Sequence, residues 1–135
     1  MDTRTAPYAA LVLRLALGLM FVAHGLTKWL VFTPAGTAQY FASLGLPGFL
    51  GYVAMVAEIV GGAAILLGVA ARQTAALLVP LLAGATLFGH AANGWAFGNA
   101  GGGWEYPAFL TAAAIALALL GDGAFALKPL KRRAA

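Results

Sequence analysis

His24 and Lys28 stand four residues apart, and Thr86, His90 and Asn93 follow one another at spacings of four and three. On a helix each set shares one face. Glu58 is flanked at the i±3 and i±4 positions by Ala54, Met55, Gly61 and Gly62, and Glu105 heads a stripe of Ala108, Ala112 and Ala116. Small residues mark faces where helices approach closely, so both carboxylates are expected to point toward other helices. Two histidines, a lysine and two carboxylates at one level could exchange protons or hydrogen-bond a polar group. His24 and His90 on separate helices could also ligate a haem, or join carboxylates around a transition metal. The chain has no cysteine, which removes thiolate ligands, CxxC redox chemistry and a cysteine nucleophile. The Glu-x-x-His pairs of a bundle di-iron site are absent as well.

The composition says what must position these groups. Of 135 residues, 62% are hydrophobic and 9% charged, with a mean hydropathy of +0.89. A soluble domain carries roughly 25% charged residues, so a soluble enzyme, a disordered chain and a nucleic-acid-binding protein are all excluded. Half of the eight Lys and Arg lie in the last eight residues, a tail and not a phosphate groove. Four segments are apolar and long enough to cross a bilayer at about 20 residues each: 8–31, 49–71, 73–93 and 104–121. The predicted fold is all-α, a single polytopic four-helix transmembrane bundle over 1–135, with a basic tail at 122–135. Pro80 is expected to kink the third span, whereas Pro107 falls in the first turn of the fourth, where it is harmless.

Arg4, Arg72, Lys128, Lys131, Arg132 and Arg133 flank one side of these spans, and the loops 32–48 and 94–103 hold no Lys or Arg. Both termini are therefore expected in the cytoplasm. Trp29, Trp95 and Trp104, with Tyr40, Phe49 and Tyr106, mark the outer ends as an aromatic belt. Residues 37–44 place Tyr40, Phe41 and Leu44 on one side of a short interfacial helix. A cleaved leader is the rival reading of the N-terminus, opposed by Arg14 within the apolar run and by the lack of a small-x-small cleavage site. The glycine-rich 94–103 loop lacks the Lys-[Ser/Thr] of a phosphate loop.

Ionisable groups inside a span are unfavourable by roughly 2.5–3.5 kcal/mol each, yet here they gather in the outer half. Each also has a plain structural reading. Lys28 either snorkels to the interface or pairs with Glu58 or Glu105. Glu58, about 12 Å below the outer end of its helix, is too deep to snorkel and is either half of a structural ion pair or a functional carboxylate. His24 and His90 are either satisfied core histidines or site residues, and Glu105 either caps its helix or joins the cluster. Arg14, near the inner surface, is read as structural, with Asp122 as its partner.

RLALGLMFVAHGLTKWL in the first span, YFASLGLPG before the second, AEIVGGAAILLGVAAR through it and HAANGWAFGNAGGGWEYPAFLTAAA toward the fourth together resemble the DoxX family of four-helix bacterial membrane proteins. The resemblance runs from about Arg14 to Gly121. It implies the bacterial inner membrane, and it carries over His24, Gly25, Lys28, Glu58, Gly61, Gly62, His90, Asn93, Gly94, Glu105, Tyr106 and Pro107 as motif positions. The wider DoxX/DoxD-like group includes small subunits of a thiosulfate:quinone oxidoreductase, proteins of oxidative and thiol stress, and relatives of the membrane region of the vitamin K-dependent carboxylase.

Three functions follow. In a quinone-linked redox component, His24 and Glu58 exchange protons, Lys28 polarises a quinone oxygen, and His90, Asn93, Trp104, Glu105 and Tyr106 help to bind the ring. Electrons then come from a soluble or membrane redox partner, because the chain has no thiol and no flavin or iron–sulfur motif. In a scaffold or assembly protein, the ion pairs only set helix register and the alanine stripes serve a homo-oligomer. In a haem- or metal-binding subunit, the two histidines are the ligands. A proton-coupled transporter would need a second copy, since the chain lacks an inverted repeat.

Overall fold

The computed structural model describes residues 2–129, so the basic residues Lys131, Arg132 and Arg133 lie outside the described residues. Five helices account for most of the chain: α1 (Ala6–Leu30), α2 (Pro34–Ser43), α3 (Phe49–Leu67), α4 (Ala71–Gly84) and α5 (Glu105–Leu120). α4 continues as a π-helical segment, Ala85–His90, and a 3₁₀ turn, Ala91–Asn93. Among the described residues the only β pairing is an isolated bridge between Val69 and Lys128. Three helical stretches are long and apolar enough to cross a membrane: Ala6–Leu30, Phe49–Leu67 and Ala71–Asn93. α5 is apolar but has 16 residues, about 24 Å at 1.5 Å per residue. It runs alongside α1 from Met20, which Tyr106 near its start reaches, to Pro7, which accepts from the Ala124 N–H just past its end.

α1 and α3 lie against each other because glycine removes the side chains between them. A Cβ on Gly62 would stand 2.8 Å from the backbone nitrogen of Val22, and one on Gly18 would stand 2.9 Å from the carbonyl oxygen of Gly62. In lipid, close backbone approach of this kind supplies much of the packing attraction between helices. It also sets the distance between Lys28 on α1 and Glu58 on α3. Gly62→Ala is therefore expected to push the two helices apart and lower thermal stability in detergent by several degrees. Unchanged melting of that variant would show that the contact is slack. Leu17, Phe21, Ile65, Leu78, Leu82 and Leu117 form the apolar core between the helices, while Leu19, Val60, Leu77, Phe109 and Leu119 face outward, as lipid contact requires.

At the end where α1 begins, the two arginines serve as caps. Arg14 is 2% exposed and donates from Nε to Ile65 O at 3.1 Å, from Nη2 to Leu66 O at 3.3 Å, and from Nη1 to Asp122 O at 2.7 Å and Ala124 O at 2.9 Å. Two of these acceptors are carbonyls at the end of α3: Leu66 O, one of the helix's open C-terminal acceptors, and Ile65 O, which also accepts from the Gly68 N–H at 3.1 Å. Arg72 donates to the last carbonyls of α5, Ala118 O at 2.7 Å and Leu119 O at 3.0 Å. The expected Arg14–Asp122 side-chain pair is not formed. Arg14 takes the Asp122 backbone oxygen, and the Asp122 carboxylate instead accepts from the Arg72 backbone N–H at 3.0 Å, capping the start of α4.

α2 begins three residues earlier than the sequence predicts, because Thr33 caps it and Pro34 suits its first turn. The Thr33 hydroxyl accepts from the Gly36 N–H at 3.1 Å. The expected irregularity of the third span falls past Pro80, in the π-helical segment. There the Thr86 hydroxyl donates to Leu82 O at 2.8 Å, a back-bond that competes with the regular helical ladder.

Candidate functional site

Lys28 lies in the last turn of α1 and Glu58 in the middle of α3. The ammonium sits between both carboxylate oxygens, with Nζ 2.9 Å from Oε1 and 2.7 Å from Oε2. Glu58 is 5% exposed, so its charge is tolerable only because Lys28 meets it. Of the two fates open to Lys28, snorkelling and pairing, the structure shows pairing, and the partner is Glu58, not Glu105. The Lys28 carbonyl also accepts a hydrogen bond from the Thr37 hydroxyl at 3.2 Å, which ties α2 to the turn that carries the lysine.

His24, one turn before Lys28, has Nδ1 2.8 Å from Met20 O. His90, at the end of the π-helical segment, has Nδ1 3.0 Å from Gly102 O. A carbonyl only accepts, so each neutral ring carries its hydrogen on Nδ1 and keeps the Nε2 lone pair free. Tyr106, in the first turn of α5, stacks near His24 with ring centroids 6.0 Å apart, and its hydroxyl donates to Met20 Sδ at 3.5 Å.

The other expected site residues hold the 94–104 loop. Asn93 donates from Nδ2 to Gly101 O at 3.0 Å and Gly102 O at 2.9 Å. Gly101 adopts φ 78 beneath that amide, a conformation that suits glycine. Glu105 does not face a neighbouring helix as expected: its Oε1 accepts from the Phe97 N–H at 2.7 Å. Trp104 packs edge-on against Trp95 at 4.6 Å between centroids. These three residues brace the loop, and His90 is tied to it through Gly102.

Two cavities meet at the ion pair. The smaller, about 110 Å³, lies among α1, α4 and α5 and is lined by Met20, His24, Lys28, Glu58, His90 and Tyr106 with apolar neighbours. The larger, about 420 Å³, lies under α2 between α3 and α4. Its walls are Tyr40, Phe41, Leu44, Leu50, Val53, Phe88 and other apolar groups, and its polar end is again Lys28, Glu58 and His90. Apolar walls with a few convergent polar groups, in a volume of roughly 300–1,000 Å³, are the ordinary form of a small-molecule site. Reading the sequence identified the polar end but not the chamber. The glycines at 84 and 89 that open it on the α4 side were its signal, together with Phe88 between them.

A membrane helical bundle with a buried Lys–Glu pair at the head of an apolar chamber is the class of protein that fold and site define. The comparisons give its family. The DoxX family model matches residues 9–91, and the chain belongs to the DoxX family. It is 36% identical over 119 residues to a Bacillus subtilis (strain 168) protein named "Putative oxidoreductase CatD", covering 88% of this chain and 84% of that one. It is 35% identical over 86 residues to a protein of Escherichia coli (strain K12) named "Inner membrane protein YphA", covering 62% of this chain and 60% of that one. No solved structure matches the chain significantly.

Proposed function

We propose that this protein is a quinone-linked redox component of the bacterial inner membrane, with the quinone ring in the chamber under α2. The observation that carries the reading is the junction of a large apolar cavity with a single bidentate Lys–Glu pair. The chamber fits a substituted ring by volume, and its aromatic walls suit a flat ring. Lys28 would donate a hydrogen bond to a ring oxygen, and His90 would accept one from a ring hydroxyl through its free Nε2. Bound there, a quinone would supply two-electron chemistry coupled to protons. Glu58 holds the Lys28 ammonium in place and is the group placed to take or give a proton, with His24 and Tyr106 on the far side of the pair. The relative named as an oxidoreductase favours the same class of activity. Electrons reach the site from a separate redox protein.

The haem and metal readings find less support. The cavity shared by His24 and His90 is far smaller than a porphyrin, and no group of three or more potential metal-ligating side chains occurs among the described residues. For topology, we read α5 as a fourth crossing, because it is apolar and lies alongside α1 from Met20 to Pro7. Both termini lie in the cytoplasm on this reading, since Arg4, Arg72 and Lys128 flank one end while the opposite loops carry no positive charge.

Gly84 offers a direct test. It lines the chamber, and a Cβ there would meet nothing within 4 Å, so a larger side chain enters space without displacing backbone. Gly84→Phe in nanodiscs should retain helix content and melting temperature yet bind a short-tailed quinone at least tenfold more weakly than the parent. Equal binding by the filled chamber would refute the assignment.

A further inference from the structure

The Lys28–Glu58 pair has two sides, and the cavities on them differ in chemistry. Lys28, Glu58 and His90 belong to both walls. The larger chamber adds almost only apolar and aromatic groups to these three, whereas the smaller adds His24 and Tyr106. In the smaller cavity the polar groups have capacity to spare. His24 and His90 each use Nδ1 on a backbone carbonyl, which leaves Nε2 to accept. The Tyr106 hydroxyl has a thioether as its acceptor, a weak one, and its oxygen lone pairs remain. A cavity stays empty when its walls are apolar and holds water when two to four polar partners converge on it. Its volume of about 110 Å³ exceeds what one water needs several-fold.

We infer that the smaller cavity is a water-holding compartment behind the ion pair, distinct from the apolar chamber in front of it. Water there connects the Glu58 carboxylate to His24 Nε2, and a proton that Glu58 has taken from a ring hydroxyl in the chamber passes on through this water to His24, restoring the carboxylate. No electron moves in this step: Glu58 loses one proton and His24 gains it. The charged and titratable groups around this water are Lys28 and His24 on α1, Glu58 on α3, His90 at the end of the π-helical segment and Tyr106 on α5. That the compartment serves as a proton route rests on the quinone reading above; that it is wet does not.

Two methionines allow a matched comparison. Met20 lines the cavity, while Met55, one turn from Glu58, is buried and lines neither cavity. Hydroxyl radicals generated by brief X-ray exposure of the protein in nanodiscs modify side chains that touch water. Met20 and Tyr106 should be modified at least fivefold faster than Met55, and Leu110→Phe, which narrows only the smaller cavity, should bring Met20 down to the rate of Met55. Equal rates for Met20 and Met55 in the unmodified protein would overturn the proposal. So would fast Met20 modification that Leu110→Phe leaves unchanged, because the water would then lie elsewhere. No quinone enters this measurement. A dry cavity beside a quinone-binding chamber therefore sinks only this inference, and a wet cavity in a protein that binds no quinone sinks only the proposed function.

Discussion

Lys28→Met lowers the stability of the protein in detergent by about 3–5 kcal/mol, the usual consequence of stranding one member of a buried ion pair. In thermal melting this is a fall of roughly 10 °C or more. The loss is large because Glu58 is 5% exposed and lies in the middle of α3, where its short side chain cannot carry the carboxylate to the membrane surface. The reverse change is milder. Glu58→Gln frees a lysine whose side chain is already 20% exposed and which lies in the last turn of α1, so its ammonium can reach the interface. The double variant Lys28→Met/Glu58→Gln removes both charges and should recover most of the stability lost in Lys28→Met. A lysine that merely lay along the interface would give three nearly identical melting curves.

Arg14→Met produces the second large effect, at the opposite end. Methionine fills the space of the arginine stem but donates nothing, leaving Leu66 O, Asp122 O and Ala124 O without the donor that Arg14 supplies, while Ile65 O keeps the Gly68 N–H. A buried acceptor without a partner is destabilising by about 1–3 kcal/mol, so a total loss of about 3 kcal/mol or more is expected for the three together. Arg14→Lys should rescue only in part, because an ammonium is a point donor and cannot reproduce the planar fork. Folding yield and melting temperature of the two variants check this. A stability loss no greater than that of an outward-facing change such as Leu19→Ala would mean that the carbonyls are satisfied without Arg14.

The helices and the polar end of the site were legible because they depend on composition and period. A run of 20 apolar residues has few alternatives, and His24 and Lys28 share a face on any regular helix. The Lys28–Glu58 pair was readable as one of two outcomes, since Glu58 is too deep to snorkel whereas Lys28 is not. Other features were hidden for a common reason: they are made by backbone groups. The partners of Arg14 and Arg72 are carbonyl oxygens, which every residue carries alike, so a search for an acidic side chain pointed to Asp122 and found only its backbone oxygen. Asn93 and Glu105 look like site residues by type, yet they serve N–H and C=O groups of a loop whose path depends on glycines at positive φ. The π-helical segment shifts the helical phase between Thr86 and His90, which simple spacing cannot anticipate. The chamber itself is a shape, formed where α2 lies over α3 and α4.

A quinone held in the chamber under α2 against the Lys28–Glu58 pair should travel with the protein out of the membrane. The most direct test is to extract the protein from its native membrane without detergent and quantify quinone per chain by mass spectrometry, beside Lys28→Met/Glu58→Gln prepared the same way. Near-stoichiometric quinone is expected in the first and only the background of the surrounding lipid in the second, with both proteins folded. Background quinone in both, or equal retention by the variant without the pair, would contradict the quinone assignment.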